Sequence, residues 1–289
     1  MDHSTLLESG WRETRKTING VSLHIVEAGN AGDPVVILVH GFPEFWWAWR
    51  HQITPLANAG YHVIVPDMRG YNQSDAPPEI SAYTLDTLAA DVVALAGAYG
   101  AERCYIVGHD WGAVIGWWVV AHYPERFHRA VLLDGPHPDV MRRQALKHPS
   151  QALRSIYVAY FQLPWLPEAM LSRNNFAALK SKVKESANAN AFEEGSLERY
   201  AEAWAHPGSL TAMLNYYRAL RYKTSSKEPT RVSTPTLILW AEYDAFLERH
   251  VAEASLELCE NGQLEFIEDV THWLHLEKPA LINRKIIDW

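Results

Sequence analysis

Residues 104–116 read Cys104-Tyr105-Ile106-Val107-Gly108-His109-Asp110-Trp111-Gly112-Ala113-Val114-Ile115-Gly116: an apolar run, a glycine-flanked Asp, then a helical pattern. A short apolar run ending at glycine reads as a buried strand. Small residues on both sides of Asp110 suit a sharp turn that holds its central residue in strained geometry close to neighbouring chain. This is the form of a nucleophile elbow, with Asp where Ser usually stands. A bare G-x-D-x-G arises by chance in roughly one chain in fifteen of this length. The strand-to-helix junction gives this copy its weight, and no G-x-S-x-G occurs elsewhere.

Similar apolar runs flank the elbow at Val35–Val39, His62–Val65 and Ala130–Leu133, with helical patterns between them, such as Leu85, Leu88, Ala89, Val92, Val93, Leu95 and Ala96. Alternating strands and helices predict a mostly parallel central sheet flanked by helices, an α/β fold. The rhythm breaks after Pro136-His137-Pro138 and resumes with strands at Thr236–Trp240 and Leu264–Ile267 and a helix at Pro279–Trp289. The expected organisation is a core of residues 1–136 and 229–289, with an inserted helical cap of residues 137–228. Within the insertion, Leu153, Ile156, Tyr157 and Tyr160 are spaced to share one helical face. So are Leu210, Met213, Leu214 and Tyr217, after Ser209 as N-cap. On pattern alone these tyrosines read as core residues with satisfied hydroxyls.

An elbow nucleophile needs oxyanion donors, one from the amide after the nucleophile and one from the loop after an earlier strand. Trp111 supplies the first, and Phe42 in His40-Gly41-Phe42-Pro43, directly after Val35–Val39, suits the second. A base and its orienting acid are expected later, in the order nucleophile, acid, His. Asp244 follows the Thr236–Trp240 run, and His272 follows Leu264–Ile267; His275 falls inside an expected helix. Asp134 also ends a strand, so it is the alternative to Asp244 as partner of His272.

A net charge of -8 opposes binding to nucleic acid or to an anionic membrane. No apolar stretch is long enough to span a bilayer, and the N-terminal residues do not read as a leader, so the expectation is a cytoplasmic protein. Cys104 and Cys259 suggest neither a disulfide framework nor a cysteine metal site. The phosphate, dinucleotide and zinc signatures G-x-x-x-x-G-K, G-x-G-x-x-G and H-E-x-x-H are missing, so no cofactor or metal is expected. Twelve tryptophans admit two readings, extra core aromatics or a pocket for a small neutral or apolar ligand.

Several motifs together resemble the soluble epoxide hydrolases of the α/β-hydrolase fold superfamily, over nearly the whole chain. They are His40-Gly41-Phe42-Pro43-Glu44 with Trp47 and Trp49-Arg50, the Asp110 elbow, Asn215-Tyr216-Tyr217-Arg218 and Thr271-His272-Trp273. The resemblance implies an α/β-hydrolase fold, and an epoxide and water as the partners of the reaction. It also implies two cap tyrosines that hold and protonate the epoxide oxygen; by motif these fall on Tyr157 and Tyr217. Asp110 would form a hydroxyalkyl ester that water, activated by His272, then hydrolyses to a 1,2-diol.

Haloalkane and haloacid dehalogenases share the Asp elbow and are the alternative. Phe42 and Trp111 depart from the residues that many haloalkane and fluoroacetate dehalogenases carry there. Asp134, however, matches the acid position of fluoroacetate dehalogenases, and Trp111 could donate to a halide. Asn72 stands where the epoxide hydrolases usually have Gly after Arg69-Gly70-Tyr71, which bears on loop geometry. A non-catalytic ligand sensor on this fold would need a pocket but not this full set of groups. The substrate and any homo-oligomer are not legible in the residues.

Overall fold

The computed structural model describes residues 6–222 and 231–289. The chain opens with β1 (Arg12–Ile18), β2 (Val21–Ala28), β3 (Val35–Val39), α1 (Arg50–Asn58), β4 (His62–Pro66) and α2 (Leu85–Ala98). It continues through β5 (Cys104–His109), α3 (Trp111–His122) and β6 (Phe127–Leu133). Among the described residues β6 is followed by the helices α4 (Pro138–Lys147), α5 (Pro149–Arg154), α6 (Ile156–Phe161), α7 (Leu166–Leu171), α8 (Arg173–Glu185), α9 (Ser196–Trp204) and α10 (Ser209–Ala219). The chain closes with β7 (Thr236–Ala241), α11 (Arg249–Leu256), β8 (Gly262–Ile267), α12 (Leu274–Glu277) and α13 (Pro279–Asp288).

All eight strands form one sheet in the order β1-β2-β4-β3-β5-β6-β7-β8. Strands β3 to β8 are parallel, and β3, β4 and β7 are buried along their whole length, as expected of such strands. From β3 the chain first builds outward to β4 and then returns to add β5 on the other side. The ends of β3 and β5 therefore diverge from a switch point, where this class of sheet opens a crevice. Helix α3 follows β5 directly and is buried on most of its surface, from Trp111 to Val120, which is why it carries no polar stripe.

Three local readings are corrected. The sequence reading did not anticipate the antiparallel hairpin of β1 and β2. Strand β1 is an edge strand that exposes Arg12, Glu13 and Arg15, so it lacks the apolar run that marked the others. Leu153 to Tyr160 do not share one helix: a break at Ser155 separates α5 from α6, and Leu153 and Ile156 are 69% and 65% exposed. The residue before α10 is Gly208 in a left-handed conformation, not Ser209, which is the first helical residue. The face behind it holds, since Leu210, Met213, Leu214 and Tyr217 are all buried.

The expected boundary at residues 228 and 229 lies outside the described residues. Among the described residues between β6 and β7 the elements are helical, and none of the described helices is long and apolar enough to cross a membrane. Most of the tryptophans are core: Trp46, Trp49, Trp117, Trp204, Trp240 and Trp273 are fully buried. Both cysteines are free. Asn72 adopts the left-handed backbone that Gly would take (φ 46), and its Nδ2 donates to Asp67 at 2.7 Å, so this loop is built without glycine at that position.

Candidate active site

Four parallel strands, β3, β5, β7 and β8, deliver Phe42, Asp110, Trp111, Asp244 and His272 to one end of the sheet. Asp110 caps β5 with φ 50 and ψ −117, a conformation that a non-glycine residue holds only under constraint. The flanking glycines are what permit it. A Cβ on Gly112 would run into the carbonyl oxygen of Val39, and one on Gly108 into that of Gly112. The elbow therefore packs against the end of β3, and β3 leads straight to the loop carrying Phe42.

The two carboxylate oxygens of Asp110 face different partners. Its Oδ1 accepts the Phe42 backbone N–H at 2.7 Å, while Oδ2 lies 3.6 Å from Nε2 of His272. The loop is held by His40, whose Nε2 accepts the Met68 N–H at 3.1 Å, leaving Nδ1–H to donate to the Gly41 carbonyl at 3.0 Å. Burial keeps His40 below its ordinary pKa, which suits that neutral tautomer.

On the far side, Nδ1 of His272 meets Oδ2 of Asp244 at 2.7 Å. The other oxygen of Asp244 accepts the amides of Phe246 and Leu247 at 2.7 and 2.9 Å, so the carboxylate is fixed by its own turn. Burial alone would lower the His272 pKa. The charge and hydrogen bond of Asp244 and the nearby Asp110 carboxylate outweigh it and hold the imidazole well above its ordinary value.

Asp134 is close by but differently engaged. Its Oδ1 accepts the Ala241 N–H at 2.7 Å, and its buried Oδ2 has no hydrogen-bond partner among the described residues. Burial first, then the charge of Asp244, push its carboxyl well above the usual range.

Over Asp110 stand two tyrosines from the helices between β6 and β7. Tyr157 on α6 and Tyr217 on α10 have ring centroids 5.8 Å apart, and Tyr217 packs edge-on to Trp111 and Phe42 at 5.1 and 5.3 Å. Burial raises both phenol pKa values, and the Asp110 carboxylate raises both further. Both hydroxyls therefore stay protonated donors. All seven residues expected at the site, Phe42, Asp110, Trp111, Tyr157, Tyr217, Asp244 and His272, thus gather around one carboxylate.

Sequence reasoning missed the layer beneath. Glu44 is completely buried, and its two oxygens meet Nδ1 of His109 at 2.7 Å and Nε2 of His275 at 3.1 Å. It also accepts the Gly41 N–H at 2.9 Å, and Nε2 of His109 lies 2.8 Å from the His272 carbonyl. Burial works against ionising Glu44, yet His109 and His275 hold its carboxyl well below the usual range. This network ties together the Phe42 loop, the elbow and the His272 loop. The available signal was Glu44 itself, a carboxylate placed one residue after Pro43 in an otherwise apolar stretch.

Two buried groups of three, Glu44 with His109 and His275, and Asp134 with His109 and His272, have residue types able to hold a metal ion. Both ring nitrogens of His109 and of His272 already face protein oxygens, so these imidazoles serve the hydrogen-bond network.

Comparison with known proteins agrees with this geometry. A family model described as the alpha/beta hydrolase fold matches residues 34–279. The chain is 42% identical to the AB hydrolase superfamily protein YfhM of Bacillus subtilis, over 94% of this chain and 95% of that one. It is 36% identical to epoxide hydrolase 4 of Homo sapiens, over 93% of this chain and 75% of the relative. A crystal structure of Bacillus megaterium epoxide hydrolase in complex with an inhibitor superposes with a TM-score of 0.86 at 29% identity, covering 95% of this chain and 99% of that one. An Asp elbow on a switch-point sheet, matched at this coverage, places the chain in the α/β-hydrolase fold family and, within it, among the epoxide hydrolases.

Proposed function

We propose that this protein hydrolyses epoxides to vicinal diols through a covalent ester on Asp110, beneath a cap formed by the helices between β6 and β7. The observation that carries the reading is the convergence on one carboxylate of an amide donor, an imidazole and two phenols. The similarity to epoxide hydrolases supports it.

In the first step the Asp110 oxygen that faces His272 attacks an epoxide carbon. The C–O bond breaks, and the ring oxygen takes a proton from Tyr157 or Tyr217. A phenol with a raised pKa is a poor acid in isolation, but two donors sharing the developing alkoxide stabilise it where charge appears. The phenolate regains its proton as His272 loses one, which leaves a neutral imidazole. In the second step His272, oriented by Asp244, takes a proton from water. The hydroxide attacks the ester carbonyl, and the oxyanion rests on the amides of Phe42 and Trp111. Collapse expels the diol oxygen, which takes the proton back from His272.

The raised pKa of His272 has a functional reading. Two carboxylates keep it charged in the free protein. Esterification neutralises Asp110 and removes one of them, so the imidazole pKa falls when a base is needed. The rate of ester hydrolysis is expected to rise with pH through the His272 pKa and then level off. That pKa should lie below the value found by titrating His272 in the free protein, by NMR of labelled histidine. Equal values would contradict the coupling between Asp110 and His272.

Tyr217→Phe is expected to slow ester formation by about 10²-fold, the usual worth of a positioned general acid. Binding of a diol or amide inhibitor should weaken less than turnover does. Unchanged single-turnover alkylation would make Tyr217 a packing residue only. For the reaction class itself, one panel of epoxides, haloalkanes and haloacids suffices: diol from epoxides is expected, and halide release without diol would instead favour a dehalogenase.

A further inference from the structure

We infer that the outer face of the helices between β6 and β7 is a docking surface for anionic lipid membranes. Large apolar side chains are exposed there to a degree the rest of the described chain does not match. Of the ten large hydrophobic side chains exposed among the described residues, eight belong to these helices or to the turns at their ends, Leu146, Trp165, Leu153 and Ile156 foremost, and only Tyr243 and Ile287 lie elsewhere. Single exposed hydrophobics need no explanation, but a cluster marks an interaction surface.

The cluster is held together by a buried cation. The Arg218 guanidinium, near the end of α10, donates to the carbonyls of Phe161 and Leu163 at 2.9 and 2.7 Å and pairs with Glu168. Gln162 adds a hydrogen bond to the Tyr217 carbonyl at 2.9 Å. These bonds fasten the segment with Leu163 and Trp165 to the helix end followed by Leu220 and Tyr222. Trp165 is 73% exposed and sits between Pro164 and Leu166 with a left-handed φ of 51. A bulky residue held outward at a backbone cost calls for a role, and tryptophan suits the headgroup boundary, with an apolar body and a polar tip.

Charge selects the occupant. Residues 140–167 contain four Lys or Arg and no Asp or Glu, within a chain of net charge -8. The whole-chain charge that opposes membrane binding is therefore not that of this face. Arg142 pairs with Asp139, and Arg154 is engaged by Glu248 and the Asp244 carbonyl, while Arg143 and Lys147 stand exposed beside Leu146. The bordering acids Asp139, Glu168 and Glu248 each face an arginine. A basic, leucine- and tryptophan-bearing face complements anionic lipid.

The test uses the full-length protein and sucrose-loaded vesicles, of phosphatidylcholine alone or with about one part in three of phosphatidylglycerol. About tenfold more protein is expected to sediment with the anionic vesicles, and the difference should shrink in high salt. The double change Arg143→Glu with Lys147→Glu, and separately Trp165→Ser, should each reduce that binding by about tenfold with thermal unfolding unchanged, because all three side chains are solvent-exposed. No sedimentation, or equal sedimentation with both vesicles, would overturn the assignment. So would a concentration-dependent dimer that Trp165→Ser dissolves, since that would give the face to a second copy.

Discussion

His272→Gln is expected to stop the reaction halfway, with covalent protein accumulating while steady-state turnover falls by about 10³-fold or more. The argument rests on the separate duties of the groups around Asp110. Attack on the epoxide uses the carboxylate and the tyrosine hydroxyls and needs no base. Phe42 N–H orients one Asp110 oxygen, and the elbow fixes the residue's backbone. Hydrolysis of the ester needs a base, and among the described residues His272 is the imidazole that faces the free oxygen of Asp110. Ring opening expels nothing, so intact-protein mass should rise by the whole mass of the epoxide. Proteolysis should place the adduct on the peptide containing Asp110. Displacement of halide would add the substrate less its hydrogen halide. Complete loss of activity with no adduct would mean that His272 is needed before or during the first step.

Asp244→Asn is expected to impair ester hydrolysis on the order of 10³–10⁴-fold, as loss of an orienting carboxylate does elsewhere. The carboxylate lies 2.7 Å from Nδ1 of His272 and contributes to its raised pKa. An amide there removes the charge that stabilises the imidazolium and permits the wrong tautomer. Asp134→Asn should cost far less, because its Oδ1 accepts the Ala241 amide and its Oδ2 meets no hydrogen-bond partner, His272 included, among the described residues. Single-turnover decay of the ester, followed in both variants, separates the two. A reversed order of damage would make Asp134 the partner and strengthen the dehalogenase alternative.

What was legible in the sequence follows from how local each signal is. The elbow could be read because Asp110, Gly108 and Gly112 are neighbours in the chain and the strain they relieve is local. His272 could be found because its order and strand-end position are set by the fold. The choice between Asp134 and Asp244 could not, since both end strands and only three-dimensional reach separates them. The β1–β2 hairpin had a local signal that went unread. Asn19-Gly20, with φ values of 47 and 80, is the two-residue turn that favours antiparallel pairing, but the polar residues of β1 obscured it. The break at Ser155 is the opposite case: Leu153 and Ile156 keep helical spacing for an outward surface, so periodicity predicted burial that packing does not supply. The Glu44, His109 and His275 network joins the loop after β3, the end of β5 and helix α12, far apart in sequence, and no spacing rule connects them.

The most direct measurement of the central claim, that the nucleophile is the Asp110 carboxylate, is a single turnover of the unaltered protein in ¹⁸O water with protein in excess over epoxide. If Asp110 attacks, the oxygen added to the first diol comes from the carboxylate and is unlabelled, while the label enters Asp110 when water attacks the ester carbonyl. The account predicts mainly unlabelled diol and a mass increase on the Asp110 peptide after one turnover. Fully labelled diol, with an unlabelled Asp110 peptide, would contradict it and assign the attack to water.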